Sequence, residues 1–115
     1  MIDKKLRNKL IEVAKKGGTI AYWEIADMCH LNLNDPKDRE IELPKLLGNI
    51  SKEEVRNGRP MLSVVAIHKN TPKMPGDGFF ELAKELGKLK RGESRDVFFA
   101  NEYKEVCRYW KERKV

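Results

Sequence analysis

Residues 58–80 read GRPMLSVVAIHKNTPKMPGDGFF and carry the clearest information on the fold. From Met61 to Ile67 every residue is apolar or small, so both alternating faces of an extended segment would be apolar. That pattern indicates burial on both faces and predicts a central strand at residues 62–67. The following residues, 70–78, are dense in proline and glycine, and Pro75-Gly76 suits the two central positions of a type II turn. We therefore expect a domain organised around a buried strand and a constrained turn.

The sequence on either side of this stretch predicts helices. Leu6 and Leu10 recur at helical spacing after Asp3, which suits an N-cap, and Gly17 suits the helix end because glycine adopts the left-handed conformation without strain. Further helices are predicted over residues 23–29, about 39–57, 79–86 and about 96–111. In the last helix, an apolar stripe is expected to face the core: Phe99, Tyr103, Val106 and Trp110.

Length and composition limit the kind of protein that this chain can be. A chain of 115 residues has the usual size of one domain, so we expect a single α+β domain over residues 1–115 with four to five helices around a small sheet. Cys29 and Cys107 are too few for a disulfide framework and are expected to be free, buried thiols in a reducing compartment. Glutamine is absent while Lys and Glu abound, which is typical of thermophilic proteins.

Hydropathy predicts a cytoplasmic protein without a membrane partner. No apolar run approaches the ~20 residues that span a bilayer. Charges at Asp3, Lys4 and Lys5 stand where a signal peptide needs its apolar stretch.

The net charge of +6 is unevenly distributed along the chain. Residues 1–18 carry six basic and two acidic side chains, whereas residues 19–57 carry five basic and eight acidic ones. Residues 79–115 are basic again, and a basic surplus favours polyanionic partners such as nucleic acid. The candidate nucleic-acid-binding residues are Lys4, Lys5, Arg7, Lys15, Lys16, Lys73, Lys88, Lys90, Arg91 and Arg95. These side chains are equally consistent with a solvated surface.

Polar residues around the predicted strand indicate a different candidate site. These are Arg59, Ser63, His68, Asp77 and Glu81, which lie before, within and after the strand and its turn. Long polar side chains beside a glycine-rich turn can bind a phosphate or a carboxylate ligand. Alternatively, these residues only stabilise the fold: Arg59 caps the preceding helix, His68 forms a hydrogen bond with the turn and Asp77 stabilises the turn conformation.

No motif for a metal or a cofactor is found. The soft or imidazole ligands are Cys29, His30, His68 and Cys107, without the C-x-x-C or H-x-x-x-H spacing of a zinc site. The G-x-S-x-G, G-x-G-x-x-G and Walker patterns are missing, so the sequence predicts neither a nucleophile elbow nor a phosphate-binding loop. We therefore expect no metal, no cofactor and no catalytic residue, although an enzyme stays open as an alternative.

Two parts of the sequence resemble known families. TIAYWEIA at residues 19–26 resembles the T-x-x-Y-x-x-I-A pattern of winged-helix domains, including the DNA-binding domain of alkylguanine-DNA alkyltransferases and alkyltransferase-like proteins. Leu46-Leu47-Gly48-Asn49, the strand to His68 and Gly78-Phe79 follow in the same order as in that domain. Separately, GRPMLS at 58–63 with PGDGFF at 75–80 resembles a family of small uncharacterised microbial proteins, which implies no activity.

The first resemblance implies a winged-helix-like fold without alkyl transfer, because Ile67 stands where those enzymes have the reactive cysteine. The leading functional prediction is non-enzymatic nucleic-acid binding, in which the two basic ends hold the backbone and the turn at 70–78 acts as a wing. The first alternative is an enzyme or small-ligand-binding protein that uses the polar site around the strand. The second is a protein-interaction module, such as a homodimer through the aromatic C-terminal helix.

Overall fold

A computed structural model describes residues 2–69 and 73–113. Within these residues the chain forms five α-helices and two short strands: α1 (Lys4–Lys15), β1 (Ile20–Ala21), α2 (Tyr22–Met28), α3 (Leu43–Arg56), β2 (Ala66–Ile67), α4 (Asp77–Glu85) and α5 (Arg95–Lys111). A π-helical turn, Asp38–Glu42, leads into α3, and a 3-10 turn, Leu62–Val65, leads into β2. The predicted mixed architecture of about five helices and a small sheet is confirmed.

Local signals fix the helix ends much as predicted. Asp3 caps α1, because its carboxylate accepts a hydrogen bond from the Leu6 N–H at 3.0 Å. Gly17 follows α1 with a φ of 66°, a conformation that glycine adopts without a Cβ clash. Pro44 lies in the first turn of α3, where a backbone N–H is not needed for the helix. These ends therefore follow from the residues beside them.

The prediction of a central strand at residues 62–67 is wrong over most of its length. All residues from Met61 to Ile67 are buried, but only Ala66–Ile67 is extended, and it pairs in parallel with β1. Because β1 has only two residues, the backbone before Ala66 needs other hydrogen-bond partners. It finds one within its own turn, where the Val64 N–H donates to the Met61 carbonyl at 3.1 Å. A 3-10 turn therefore replaces the strand.

The 3-10 turn Leu62–Val65 lies at the centre of the helices and contacts α1, α3 and α5. Side chains from two of these helices hydrogen-bond to one backbone N–H within the turn and to another just before it. The Ser51 Oγ atom accepts from the Ser63 N–H at 3.0 Å, and a Glu102 carboxylate oxygen accepts from the Met61 N–H at 2.8 Å. The buried segment is thus held by polar contacts from two helices as well as by apolar packing.

The predicted type II turn at Pro75-Gly76 is also wrong. That turn needs a positive φ at Gly76, but Gly76 has φ −76° and ψ 177°, and it caps the N-terminus of α4. Asp77 and Gly78 form the first turn of α4. Residues 70–72 of the predicted turn and wing lie outside the described residues.

The predicted apolar stripe of α5 packs against the core, but its first half is not the most buried part of that face. Val106 and Trp110 are buried, but the first half of the buried face is Phe98 and Glu102, whereas Phe99 and Tyr103 are half-buried. The Tyr103 hydroxyl instead donates to the Gly18 carbonyl at 2.9 Å. Cys29 and Cys107 are free thiols as predicted, although each is half-buried.

Candidate functional site

A cavity of about 600 Å³ lies between α3 and α4. The buried part of its lining is mostly apolar and consists of Leu43, Leu47, Phe79 and Leu82 together with the polar Ser63. The two helices approach each other closely at two glycines. A Cβ placed on Gly48 would lie 3.8 Å from Leu82 Cδ2, and a Cβ placed on Gly78 would lie 3.9 Å from Pro44 Cβ. A methyl group at either position would therefore make ordinary van der Waals contact with the facing helix.

The parallel register of the two strands builds one end of the cavity. Ala21 pairs with Ile67, so the residues that follow, Tyr22 and His68, leave the sheet side by side. Their rings meet edge to face with centroids 4.9 Å apart, and both side chains line the cavity. A Cβ on Gly76 would lie 3.0 Å from His68 Nε2, so a larger residue at this position would displace the imidazole.

The Tyr22 hydroxyl links this end of the cavity to the N-terminus of α4. It accepts a hydrogen bond from the Gly76 N–H at 2.8 Å. Burial raises the pKa of the Tyr22 phenol, and the Gly76 N–H opposes this rise because it stabilises the phenolate. The phenol is therefore neutral at physiological pH, and its proton is available to a hydrogen-bond acceptor.

Ser63 reaches the cavity from the 3-10 turn and is only 5% exposed. Its Oγ atom lies 2.6 Å from Ser51 Oγ, and its own N–H donates to that same atom. A hydroxyl can donate one hydrogen bond and accept two, so the pair keeps capacity for a further partner. The Ser63 hydroxyl is therefore a hydrogen-bonding group within the apolar part of the lining.

The α4 side of the cavity carries carboxylates that are paired with Arg95. The Arg95 Nη1 atom lies 2.8 Å from Asp77 Oδ1, and Nη2 lies 3.5 Å from Glu81 Oε1. The Arg95 guanidinium also stacks 4.9 Å from the centroid of the Phe80 ring. Such exposed pairs contribute little to stability, but Arg95 offsets part of the negative charge of this wall.

Four of the five residues predicted for a ligand site line this cavity: Ser63, His68, Asp77 and Glu81. His68 is exposed, so its imidazole is accessible to a ligand. Arg59 does not line the cavity. Its guanidinium instead forms two hydrogen bonds of 3.0 Å with the buried carboxylate of Glu54, at the end of α3. Arg59 therefore has a structural role at that helix end.

Four of the ten basic residues predicted to hold nucleic acid are engaged in ion pairs. These pairs are Arg7 with Glu54, Lys16 with Glu12, Lys88 with Glu102 and Arg95 with Asp77. The other six form no ion pair with any residue of 2–69 or 73–113, and all except the half-buried Lys15 are exposed: Lys4, Lys5, Lys15, Lys73, Lys90 and Arg91. The basic set is thus partly structural and partly available to a partner.

Tyr22, Lys45, Asn49 and Lys52 also line the cavity and were not among the predicted ligand-site residues. The three α3 residues occur at helical spacing, so the predicted helix already implied that they share a face. Their position opposite α4 depends on tertiary packing, which no local pattern reports. Tyr22 is the tyrosine of the T-x-x-Y-x-x-I-A resemblance, but that pattern does not indicate a place in a ligand cavity.

Neither a metal cluster nor a membrane-spanning helix is found in the described part of the chain. No group of three or more His, Cys, Asp or Glu side chains within 2–69 and 73–113 could hold a metal ion. Among these same residues, no helix is both long and apolar enough to cross a bilayer. Comparisons with protein-family models, curated proteins and solved structures found no match to this chain.

Proposed function

We propose that the protein binds a small organic ligand in the cavity between α3 and α4. The observation that carries this proposal is the convergence of Ser63, His68, Asp77 and Glu81 on one cavity of about 600 Å³. Small-molecule sites are typically concave and largely apolar, with a few polar groups that fix the orientation of the ligand. The apolar lining, the Ser63 hydroxyl and the accessible His68 imidazole match this description. These groups can donate or accept hydrogen bonds.

Replacing Gly48 by leucine is expected to block the cavity without unfolding the chain. Gly48 lies within α3 and lines the cavity, and a Cβ at this position would lie 3.8 Å from Leu82 Cδ2 on the facing helix. Glycine is less favourable than leucine inside a helix by about 0.5–1 kcal/mol, so helix propensity favours the variant. We expect the neutral fluorophore N-phenyl-1-naphthylamine to bind the wild-type protein and to bind Gly48→Leu at least about tenfold more weakly. The emission of this probe rises in an apolar site and measures both affinities.

Ala100→Leu is the matched control because it adds a leucine at an exposed position of α5 that does not line the cavity. This variant should bind the probe like the wild-type protein. Thermal unfolding followed by circular dichroism checks that both variants are folded. Equal affinity of Gly48→Leu and the wild-type protein, or no binding of the probe to the wild-type protein, would contradict the proposed ligand site.

As a second candidate function we propose nucleic-acid binding by a winged-helix-like arrangement in which α2 and α3 form the helix pair. The observation that favours it is the set of exposed cations without an ion pair in the described residues, notably Lys4 and Lys5 on α1 and Lys90 and Arg91 before α5. A sequence pI of about 9.4 adds a long-range attraction for phosphates. In this proposal the cations hold the backbone and do not read the sequence.

Affinity for nucleic acid should fall steeply with salt if this second function is correct. About six phosphate contacts would weaken binding by about 10³-fold between about 50 and 200 mM salt, because bound counterions are released. Fluorescence anisotropy of labelled duplex and single-stranded DNA measures this dependence. Replacing Lys4 and Lys5 by alanine should reduce the logarithmic salt slope by about 2, whereas Lys104→Ala on the exposed face of α5 should leave it unchanged. A flat salt dependence or no binding would exclude this function.

A further inference from the structure

We infer that the ligand of the cavity is an anionic amphiphile, a molecule with a carboxylate or phosphate head group on an apolar body. The inference rests on the proposed small-ligand function and deepens it by naming the chemical class. It follows from the charges on the two walls of the cavity and from the apolar residues between them.

The α3 wall carries a row of cationic and amide side chains. Lys45, Asn49 and Lys52 all line the cavity and lie four and three residues apart, so they share one face of the helix. The two lysines are about 10 Å apart along the helix axis, at a rise of about 1.5 Å per residue. Their flexible stems allow both ammonium groups to reach an anion that lies between them. The half-buried Asn49 amide can donate a hydrogen bond to that same anion.

The carboxylates of the lining are mostly compensated, whereas these lysines are not. Three of the four carboxylates form ion pairs, each with a cation of its own: Asp77 with Arg95, Glu81 with Lys84 at 3.6 Å in addition to Arg95, and Glu40 with Arg39 at 3.6 Å. Glu85, Lys45 and Lys52 form no ion pair with residues 2–69 or 73–113. The uncompensated charge of the lining is thus two cations against one anion. This excess favours a negatively charged head group.

The buried lining selects an apolar body for the same ligand. Leu43, Leu47, Phe79 and Leu82 are each less than 9% exposed. Each methylene that is buried against them adds to the affinity, whereas a small inorganic anion would gain nothing from these contacts. The lysine row lies on the same helix as Leu43 and Leu47, so one molecule can contact both regions.

A matched series of ligands with one chain and different head groups tests the inference. We would titrate octanoate, octyl phosphate, octanol and octylammonium below their micelle concentrations and follow the backbone amides of Gly48, Gly76 and Gly78 by proton–nitrogen NMR. At low salt the better of the two anions should bind at least about tenfold more tightly than octanol, and octylammonium should bind most weakly. The tighter of the two anions identifies the head group as carboxylate or phosphate, and either result supports the inference.

Variants of the lysine row separate the head-group preference from cavity binding. Lys45→Met with Lys52→Met keeps most of the apolar stems, so anion affinity should fall to within about twofold of octanol while octanol affinity stays unchanged. Lys104→Met is the matched control on α5 and should keep the full preference. Equal binding of octanol and both anions, or tighter binding of octylammonium, would contradict the inference that the ligand is anionic. The proposal that the cavity binds a small ligand would still stand in that case. No NMR shift with any of the four would instead contradict the proposed function.

Discussion

Replacing Glu54 by alanine is expected to lower the free energy of unfolding by about 3–5 kcal/mol. Glu54 is fully buried, and each of its carboxylate oxygens accepts one hydrogen bond from Arg7 and one from Arg59, at 3.0–3.3 Å. Without the carboxylate, two guanidinium groups would face each other with no anion between them. Their side chains are only 26% and 23% exposed, so water cannot fully replace the lost partner.

A triple replacement shows whether the loss comes from the charges left behind. Arg7→Met with Glu54→Leu and Arg59→Met exchanges the whole ionic cluster for apolar side chains and should recover most of the loss. Methionine can also keep a contact with Trp110, whose ring centroid lies 5.5 Å from the Arg7 guanidinium carbon. Urea denaturation measures the three proteins. A loss below about 1 kcal/mol for Glu54→Ala, or a triple variant no more stable than it, would contradict this account.

The Glu54 cluster gives a structural contact to two residues that the sequence analysis assigned to a partner or a ligand. Arg7 was assigned to nucleic acid and Arg59 to a ligand, but both contact a carboxylate that is 47 residues from Arg7. One signal was available, because Glu54 shares the helical stripe of Leu47 and Ile50, where a charged residue must find a partner. The identity of that partner depends on how α1 packs near α3, and no local pattern contains this information.

The fold shows the same division between local and tertiary information. The caps at Asp3 and Gly17 were predictable because their hydrogen bonds and dihedral angles involve neighbouring residues. The burial of residues 62–67 was predictable from composition, but their conformation was not. It depends on whether another strand is long enough to pair with them, and β1 provides only two residues.

Some residues of the candidate site can likewise be identified from the local sequence, whereas others are identified only by the tertiary structure. Ser63, His68, Asp77 and Glu81 were identifiable because they are polar residues in or near the apolar segment 62–67 and the glycine- and proline-rich turn after it, which is a local property. Lys45 is charged and exposed like most lysines, and only the position of α4 opposite α3 makes it part of a cavity wall. A sequence can therefore nominate the residues of one wall while the opposite wall requires the tertiary structure.

Replacing Glu102 by alanine is expected to lower the free energy of unfolding by about 2–4 kcal/mol. Glu102 is 6% exposed, and one of its carboxylate oxygens accepts hydrogen bonds from both the Met61 N–H and the Lys88 ammonium. Met61 is fully buried, so its N–H has no access to water. Alanine would leave this donor without a partner at the start of the central 3-10 turn, and the loss of a buried acceptor costs more than the loss of an exposed one.

Two further variants separate the backbone hydrogen bond from the ion pair. Glu102→Gln keeps a carbonyl oxygen for the Met61 N–H and should lose only about 1 kcal/mol. Lys88→Met in the Glu102→Ala background removes the unpaired ammonium. The loss in free energy of unfolding that persists in this double variant is then assigned to the Met61 N–H, which has no hydrogen-bond acceptor. If Glu102→Gln were as unstable as Glu102→Ala, the ion pair rather than the backbone contact would hold the turn.

Lys88 forms an ion pair with Glu102 and is therefore not expected to contact nucleic acid. Lys88→Met alone should leave the salt slope of any nucleic-acid binding unchanged, in contrast to the replacement of Lys4 and Lys5.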